Sequence, residues 1–104
     1  MPTTMIGGRP IDVNDEGFLT KYDQWDEALG AVLAGYAQVE LSDEAWKVIR
    51  FLRADYPARN ETATLRRVAS VGGFDMKQLF QLFPGKPAKK MSYIAGLPKP
   101  KGCV

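Results

Sequence analysis

Cys103 is the one cysteine of the 104-residue chain and its penultimate residue. The six residues before it combine proline, lysine and glycine with a single leucine: Leu97, Pro98, Lys99, Pro100, Lys101 and Gly102. The two prolines favour extended backbone and remove two backbone donors, and the glycine gives a flexible joint next to the thiol. We therefore expect residues 97–104 to form a mobile arm that presents Cys103 to other molecules.

The chemistry of such an arm is that of a thiol nucleophile. A thiol with an ordinary pKa near ~8.5 is only a few per cent ionised at neutral pH, and the thiolate is the reactive form. Lys99 and Lys101 favour the thiolate, whereas the terminal carboxylate of Val104 opposes it. The alternative is an incidental surface cysteine, but the ordered Pro-Lys-Pro spacing favours a chemical role.

Other chemistries are excluded by what the sequence lacks. The chain has no histidine, so it has no Ser-His or Cys-His nucleophile pair and no imidazole general base. One cysteine cannot build a thiolate metal cage, and the Gly-Gly pairs lack the spacing of a phosphate-binding loop. We expect no metal and no cofactor, which leaves Cys103 as the one candidate catalytic residue.

Length and composition predict one small domain over residues 1–104, with 45% hydrophobic residues to form one core. The net charge of +2 does not indicate a polyanion partner. All twelve acids lie between Asp12 and Asp75, however, while the last twenty residues carry five lysines and no acid.

No apolar run approaches the ~18–20 residues of a membrane span, and no signal peptide is visible. We expect a cytoplasmic protein without a membrane partner.

Sequence periodicity predicts a mainly α fold: a small orthogonal bundle of about five helices with an N-terminal β-hairpin and a flexible C-terminal arm. The hairpin is expected from Thr3–Ile6 and Ile11–Val13, which flank a Gly-Gly turn, and the first helix from about Gln24 to Ala37. Capping and breaking residues predict four more helices. The predicted limits are Ser42 to Pro57, Thr62 to Gly72, Asp75 to Pro84, and Pro87 to Gly96.

Two further groups of residues have competing interpretations. The helix–Gly-Gly–helix unit from Thr62 to Phe83 resembles a helix-turn-helix, but its second helix has one cation, Lys77, so we favour ordinary packing and do not expect direct nucleic-acid binding. The aromatic residues at helical spacing are assigned to the core rather than to a ligand pocket. They are Trp25, Tyr36, Trp46, Phe51, Tyr56, Phe80 and Phe83.

The C-terminal segments resemble a known family. They are Pro87-Ala88-Lys89, Ile94-Ala95-Gly96-Leu97-Pro98-Lys99-Pro100 and Gly102-Cys103-Val104. They closely resemble the C-terminal signature of the TusE/DsrC/DsvC sulfur-carrier proteins. A looser likeness extends over nearly the whole chain and includes Trp25, Trp46, Arg53 and Tyr56.

The resemblance implies a sulfur relay protein whose penultimate cysteine, here Cys103, carries sulfane sulfur as a persulfide between a donor and an acceptor protein. The implied donor is TusBCD-like or DsrEFH-like, and the implied acceptor is a thiouridylase that thiolates tRNA or a sulfite-reductase-like protein. Leu97 to Gly102 would be the partner-binding arm. Such a protein would be a sulfurtransferase acting with its partners, although the sequence leaves open whether it is an enzyme in its own right.

One departure from the family pattern concerns Ser92. It stands eleven residues before Cys103, where the DsrC branch has a second cysteine that closes an internal disulfide. A two-cysteine redox cycle is therefore not expected. Two alternatives stay open at this point: an accessory, gamma-like subunit of a dissimilatory sulfite-reductase-type complex, and a helix-turn-helix DNA-binding regulator.

Overall fold

The computed structural model describes residues 3–100, and these begin with the predicted hairpin. Strands β1 (Thr3–Ile6) and β2 (Arg9–Asp12) pair antiparallel, with Thr3 opposite Asp12 and Ile6 opposite Arg9. Gly7 and Gly8 form the two-residue turn with φ of 59° and 80°, the positive values that a type I′ turn requires. The second strand starts two residues earlier than predicted because Pro10, which lacks an N–H, is tolerated in a two-stranded sheet.

Helix α1 (Glu27–Tyr36) begins three residues later than predicted. Asp26 is its N-cap, and the Asp26 carboxylate accepts a 2.8 Å hydrogen bond from the Leu29 N–H. A short 3₁₀ turn at Tyr22–Gln24 precedes it, and Trp25 is extended between the two. The indole is thereby turned toward the C-terminal end of the chain.

Helix α2 (Asp43–Arg59) has the predicted cap, Ser42, but it does not stop at Pro57. It continues to Arg59 and ends at Asn60 in the left-handed conformation, with φ of 55°. Pro57 deprives the Arg53 carbonyl of its helical donor, and the Tyr22 hydroxyl donates to that oxygen at 2.6 Å instead. A tertiary hydrogen bond therefore replaces the one that the proline removes.

Helices α3 (Leu65–Ser70) and α4 (Met76–Leu82) form the helix-turn-helix-like unit. The cap of α4 is Asp75, as predicted. The prediction that Thr62 caps α3 is wrong: Thr64 is the N-cap, and its hydroxyl accepts from the Arg67 N–H. Thr62 is buried and bonds to the C-terminal segment, a contact that is too distant in sequence for a local pattern to indicate.

Helix α5 (Pro87–Ile94) has Pro87 at its first position, as predicted. Gly96 follows the C-cap Ala95 with φ of 70°, the predicted left-handed stop. The Leu97 N–H donates to the Ser92 carbonyl and the Gly96 N–H to the Tyr93 carbonyl, the paired bonds of a Schellman motif. None of the helices within residues 3–100 is long and apolar enough to cross a membrane.

The core has two parts: a larger one among α2 to α5 and a smaller one between the hairpin and α1. The prediction that all seven helical aromatics are core residues is wrong for two of them. Tyr36 is 60% exposed and Phe80 is 46% exposed, because Tyr36 ends α1 and Phe80 faces away from Leu79, which is fully buried. Phe83 is fully buried, and Trp25, Trp46, Phe51 and Tyr56 pack against the larger core.

A partly buried ion pair joins α2 to α3. Arg67 donates to both carboxylate oxygens of Asp55, from Nε at 3.0 Å and from Nη2 at 2.7 Å, and the Asp55 side chain is only 10% exposed. The Arg67 hydrogen bonds hold the pKa of Asp55 below its ordinary value. The pair therefore stabilises the fold fully above the ordinary carboxyl pKa and loses its effect as the pH falls through the lowered one.

We predict that Asp55→Asn lowers the free energy of unfolding by about 2 kcal/mol at neutral pH, since a charge-assisted bidentate contact is lost. The difference from the native chain should shrink below about pH 3.9, where an ordinary aspartate protonates. Urea denaturation of both proteins from neutral pH to below about pH 3.9 measures this difference in the free energy of unfolding. Asp15→Asn, at an exposed site after β2, is the control. A constant difference down to the lowest pH would contradict the assignment.

Candidate functional site

The predicted site lies partly outside the described residues. Cys103, Lys101 and Gly102 fall beyond residue 100, whereas Leu97, Pro98, Lys99 and Pro100 are described. The structure therefore shows the base of the arm. The contacts that hold this base are described below.

Leu97, the first residue of the predicted arm, is fully buried in the larger core. Its N–H closes the Schellman motif on the Ser92 carbonyl at 3.1 Å. Its side chain therefore does not belong to a free segment, and it packs with the core because the left-handed Gly96 turns the chain back across the end of α5. The motion expected of residues 97–104 stays a prediction.

Trp25 contacts the same turn from the side of α1. Its indole Nε1–H donates to the Ile94 carbonyl at 2.8 Å. The ring lies against two glycines: a Cβ placed on Gly96 would be 2.4 Å from Trp25 Cδ1, and one on Gly30 would be 2.8 Å from Cζ2. Both glycines are therefore required for this close approach, and Gly96 also for its positive φ.

Arg53 completes the contact from α2. Its Nη1 donates to the Ala95 carbonyl at 3.1 Å and its Nη2 to the Tyr22 carbonyl at 3.0 Å. The guanidinium carbon lies 3.8 Å from the ring centre of Tyr22 and 4.3 Å from that of Trp25, within cation–π range of both. Burial lowers the pKa of Arg53 from its ordinary value, but the group stays charged at neutral pH. We call Tyr22, Trp25 and Arg53 the arm anchor.

Tyr56 packs against the Tyr22 side chain of the arm anchor. Its ring is stacked on that of Tyr22, with ring centres 5.6 Å apart and planes 12° from parallel. The Tyr22 hydroxyl meanwhile bonds to the Arg53 carbonyl, so Tyr22 contacts Arg53 through both its backbone and its side chain. The carbonyls of Ile94 and Ala95, which the end of α5 leaves without helical donors, are thus satisfied by side chains from elsewhere in the fold.

Beyond Leu97 the chain follows the body as far as Pro100, with Pro98 and Lys99 exposed and Pro100 buried. The Thr62 hydroxyl donates to the Pro98 carbonyl at 2.7 Å. Lys99 Nζ lies 3.2 Å from Glu16 Oε2 in a half-exposed ion pair. A shallow depression of about 180 Å³ separates this stretch from the end of α2, with Tyr56 and Asn60 in its wall. An exposed ion pair contributes little to stability, so these contacts hold the segment less firmly than the anchor does.

Ser92, eleven residues before Cys103, is fully buried on α5. Its hydroxyl donates to the Ala88 carbonyl one turn earlier, at 2.8 Å. The described residues contain no cluster of acids positioned to hold a metal ion. The arrangement within residues 3–100 thus holds and orients the start of the C-terminal segment.

The arm anchor is not predicted by the sequence patterns. Helical spacing assigns Trp25 and Tyr56 to the core and gives no role to Tyr22 or Arg53. Residues from the loop before α1 meet Arg53 across about thirty positions of sequence, so no local spacing indicates the contact. The one signal in the sequence is that Trp25, Arg53 and Tyr56 are among the positions with the family likeness.

Comparison with known proteins decides the family. The model of the family described as "DsrC like protein" matches residues 5–104, which is nearly the whole chain. The chain belongs to the DsrC-like family. Among curated relatives, the protein named sulfurtransferase TusE from Salmonella paratyphi A is 38% identical over 104 residues, covering 93% of this chain and 95% of its own length.

Solved structures of the DsrC-like family share the fold. The NMR structure of DsrC from Allochromatium vinosum is 35% identical with a TM-score of 0.81, covering 98% of this chain and 97% of that one. The crystal structure of the oxidised gamma-subunit of dissimilatory sulfite reductase, DsrC from Archaeoglobus fulgidus, is 32% identical with a TM-score of 0.78, covering 99% and 100%. The predicted helical bundle with its N-terminal hairpin is thus confirmed as the family's fold.

We predict that Gly96→Ala destabilises the protein more than Gly73→Ala. Both glycines have positive φ, 70° and 77°, so both substitutions carry the ~1–2 kcal/mol cost of a left-handed alanine. Only the Cβ at position 96 meets a neighbour, the Trp25 ring, which adds about 1–3 kcal/mol of overpacking. Chemical denaturation gives the difference, and hydrogen exchange at the Leu97 amide should accelerate in Gly96→Ala alone. Equal costs at the two positions would mean that Trp25 does not hold this turn.

Proposed function

We propose that this chain is a sulfur relay protein in which Cys103 accepts sulfane sulfur from a donor protein and passes it to an acceptor protein. The observation behind the proposal is a thiol at the penultimate position of a chain that is 38% identical to sulfurtransferase TusE along almost its full length. Membership of the DsrC-like family over residues 5–104 supports the same function.

The transfer balances without any added oxidant. The Cys103 thiolate attacks the terminal sulfur of a donor persulfide, an S–S bond forms on Cys103, and the donor's S–S bond breaks with its cysteine leaving as a thiolate. In the second half of the transfer, an acceptor thiolate attacks the terminal sulfur of the Cys103 persulfide. The S–S bond on Cys103 breaks, and Cys103 leaves as a thiolate. Each half needs a deprotonated attacking thiol and access to the outer sulfur of the pair.

The anchor supports this chemistry because it fixes one end of the carrier segment. With Leu97 held in the core, the six residues from Pro98 to Cys103 span at most about 20 Å when extended. That length suffices to enter the active-site cleft of a partner while the body stays outside. Lys99 and Lys101 would meet acidic groups at the entrance, and their contribution should weaken as salt screens it.

The partners proposed for this relay follow from the family. The donor would be TusBCD-like or DsrEFH-like, and the acceptor a thiouridylase or a sulfite-reductase-like protein, all in the cytoplasm. A second candidate is an accessory subunit, favoured by the 32% identity to a protein described as the gamma-subunit of dissimilatory sulfite reductase. Purification of a stable, stoichiometric complex with reductase subunits would support that role over a transient relay.

A DNA-binding role has weaker support. On α4 the exposed residues include Met76 and Phe80 beside Lys77, and Gln78 points its amide toward the Glu44 carboxylate on α2 at 3.5 Å. Phosphate recognition needs several cations on one face, and an acidic neighbour opposes it. This surface therefore favours the packing interpretation of the helix-turn-helix-like unit.

We predict that incubation with inorganic polysulfide or with a persulfidated donor protein adds sulfur to Cys103. Intact-protein mass spectrometry should show a gain of one sulfur atom that a reductant removes, and peptide mapping should place it on the C-terminal peptide. Cys103→Ser is the control and should gain nothing, since the chain has no other cysteine. Persistent loading of that variant would refute the assignment of Cys103.

We predict that every disulfide formed when the native chain is oxidised is intermolecular, because one cysteine cannot cyclise. Introducing Ser92→Cys should allow a ring to Cys103 that competes with sulfur transfer, at a rate limited by exposure of the buried position 92. Non-reducing gels and transfer assays under oxidising conditions measure both effects. Undiminished transfer by Ser92→Cys would show that the two positions do not approach each other.

A further inference from the structure

An open groove of about 480 Å³ lies on the side of the molecule where α5 begins. Its walls come from three places: the loop that contains Glu16, the end of α1, and the stretch from Gly85 along α5 to Tyr93. The residues that matter for its chemistry are Glu16, Tyr36, Lys86, Lys89, Lys90 and Tyr93. We call this feature the basic groove.

The charge of the basic groove is not balanced within the described part of the chain. Among residues 3–100, Lys86, Lys89 and Lys90 have no carboxylate within 4.0 Å. They also occupy the N-cap and first turn of α5, where the positive end of the helix dipole disfavours cations. Three lysines at this place cost the fold stability, so their arrangement indicates a use outside folding.

The groove also offers aromatic surface. Tyr36, the last residue of α1, is 60% exposed. Tyr93 is half-buried, and its ring meets the buried Phe18 edge-on, with centres 5.8 Å apart. Tyrosines beside lysines form a surface that accepts an apolar or aromatic side chain flanked by acids.

The groove is connected to the arm through Glu16. This residue lines the groove and also pairs with Lys99 at 3.2 Å. Lys99 stands four residues before Cys103, a length of chain that spans at most about 13 Å. A protein seated in the groove would therefore lie within reach of the thiol.

We propose that the basic groove docks an acidic segment of a relay partner, one that contains an aromatic or other apolar residue. The identity of the partner in this inference rests on the proposed function. The choice of the groove as the docking site rests on its charge and its position. The Glu16 carboxylate in the wall disfavours a polyphosphate backbone, and three lysines supply few phosphate contacts for RNA. Residues 101–104 contain no acidic side chain.

The test is a titration of the full-length, ¹⁵N-labelled chain with a synthetic peptide of glutamate and aspartate residues around one phenylalanine. Amide shifts are expected from Gly85 to Lys90 and at Tyr93, and they should weaken as salt increases. The triple variant Lys86→Gln, Lys89→Gln, Lys90→Gln should bind at least about tenfold more weakly, which corresponds to ~1.4 kcal/mol.

The matched control is Lys21→Gln, Lys47→Gln, Lys77→Gln, which removes the same charge at lysines outside the groove and should change the affinity less than about twofold. Equal weakening in both triples, shifts mapping elsewhere, or occupation of the groove by an oligouridylate probe instead of the peptide would overturn the proposal. Loading of Cys103 by inorganic polysulfide needs no docking and should be normal in the groove variant. Failure to load in every protein, the native chain included, would count against the relay function and not against the groove.

Discussion

Two hydrogen bonds from distant side chains to the end of α5 determine much of this structure. The Trp25 indole and the Arg53 guanidinium donate to the Ile94 and Ala95 carbonyls, the groups that a helix end leaves unpaired. Through them the loop before α1 and the middle of α2 are tied to one turn of chain. Gly96 makes this possible because only a residue without a side chain fits beneath the indole. The path of the chain from Gly96 to Leu97 follows from this contact.

The charged residues that stabilise the fold differ from those that we propose bind a partner. The pair of Asp55 and Arg67 ties α2 to α3, and Arg59 lies 3.9 Å from the same Asp55 carboxylate. The lysines at the start of α5, in contrast, stand where the helix dipole disfavours them. Among described residues, the acids serve mainly in caps and ion pairs, whereas the lysines of the basic groove face outward toward the proposed partner. A carrier that meets two partners in turn needs such a surface near its reactive end.

Much of the fold could be predicted from local patterns, because caps and stops act within a few residues. Ser42, Asp75, Pro87 and Gly96 all have the predicted roles. The errors arise where a tertiary partner overrides a local rule. The Tyr22 hydroxyl bonds to the carbonyl that Pro57 leaves without a donor, so α2 runs past its expected end. Thr62 bonds to the Pro98 carbonyl instead of capping α3.

The candidate site also has a part that local patterns indicate and a part that they do not. Cys103 can be proposed from the sequence because a chain without histidine offers no other strong nucleophile, and the proline and lysine residues before the thiol do not favour its burial. The arm anchor cannot be proposed from the sequence, because Tyr22 and Arg53 are separated by 31 positions and their contact depends on the finished fold.

A sulfur relay requires that sulfur bound to this chain moves on to another protein. The experiment loads Cys103 with a heavy sulfur isotope, removes the excess, and mixes the loaded chain with an acceptor protein in a single turnover. We expect the label to leave the chain and to appear on the acceptor, with the native mass of the chain restored. Label that stays on Cys103, or that is released only as free sulfide, would contradict the relay.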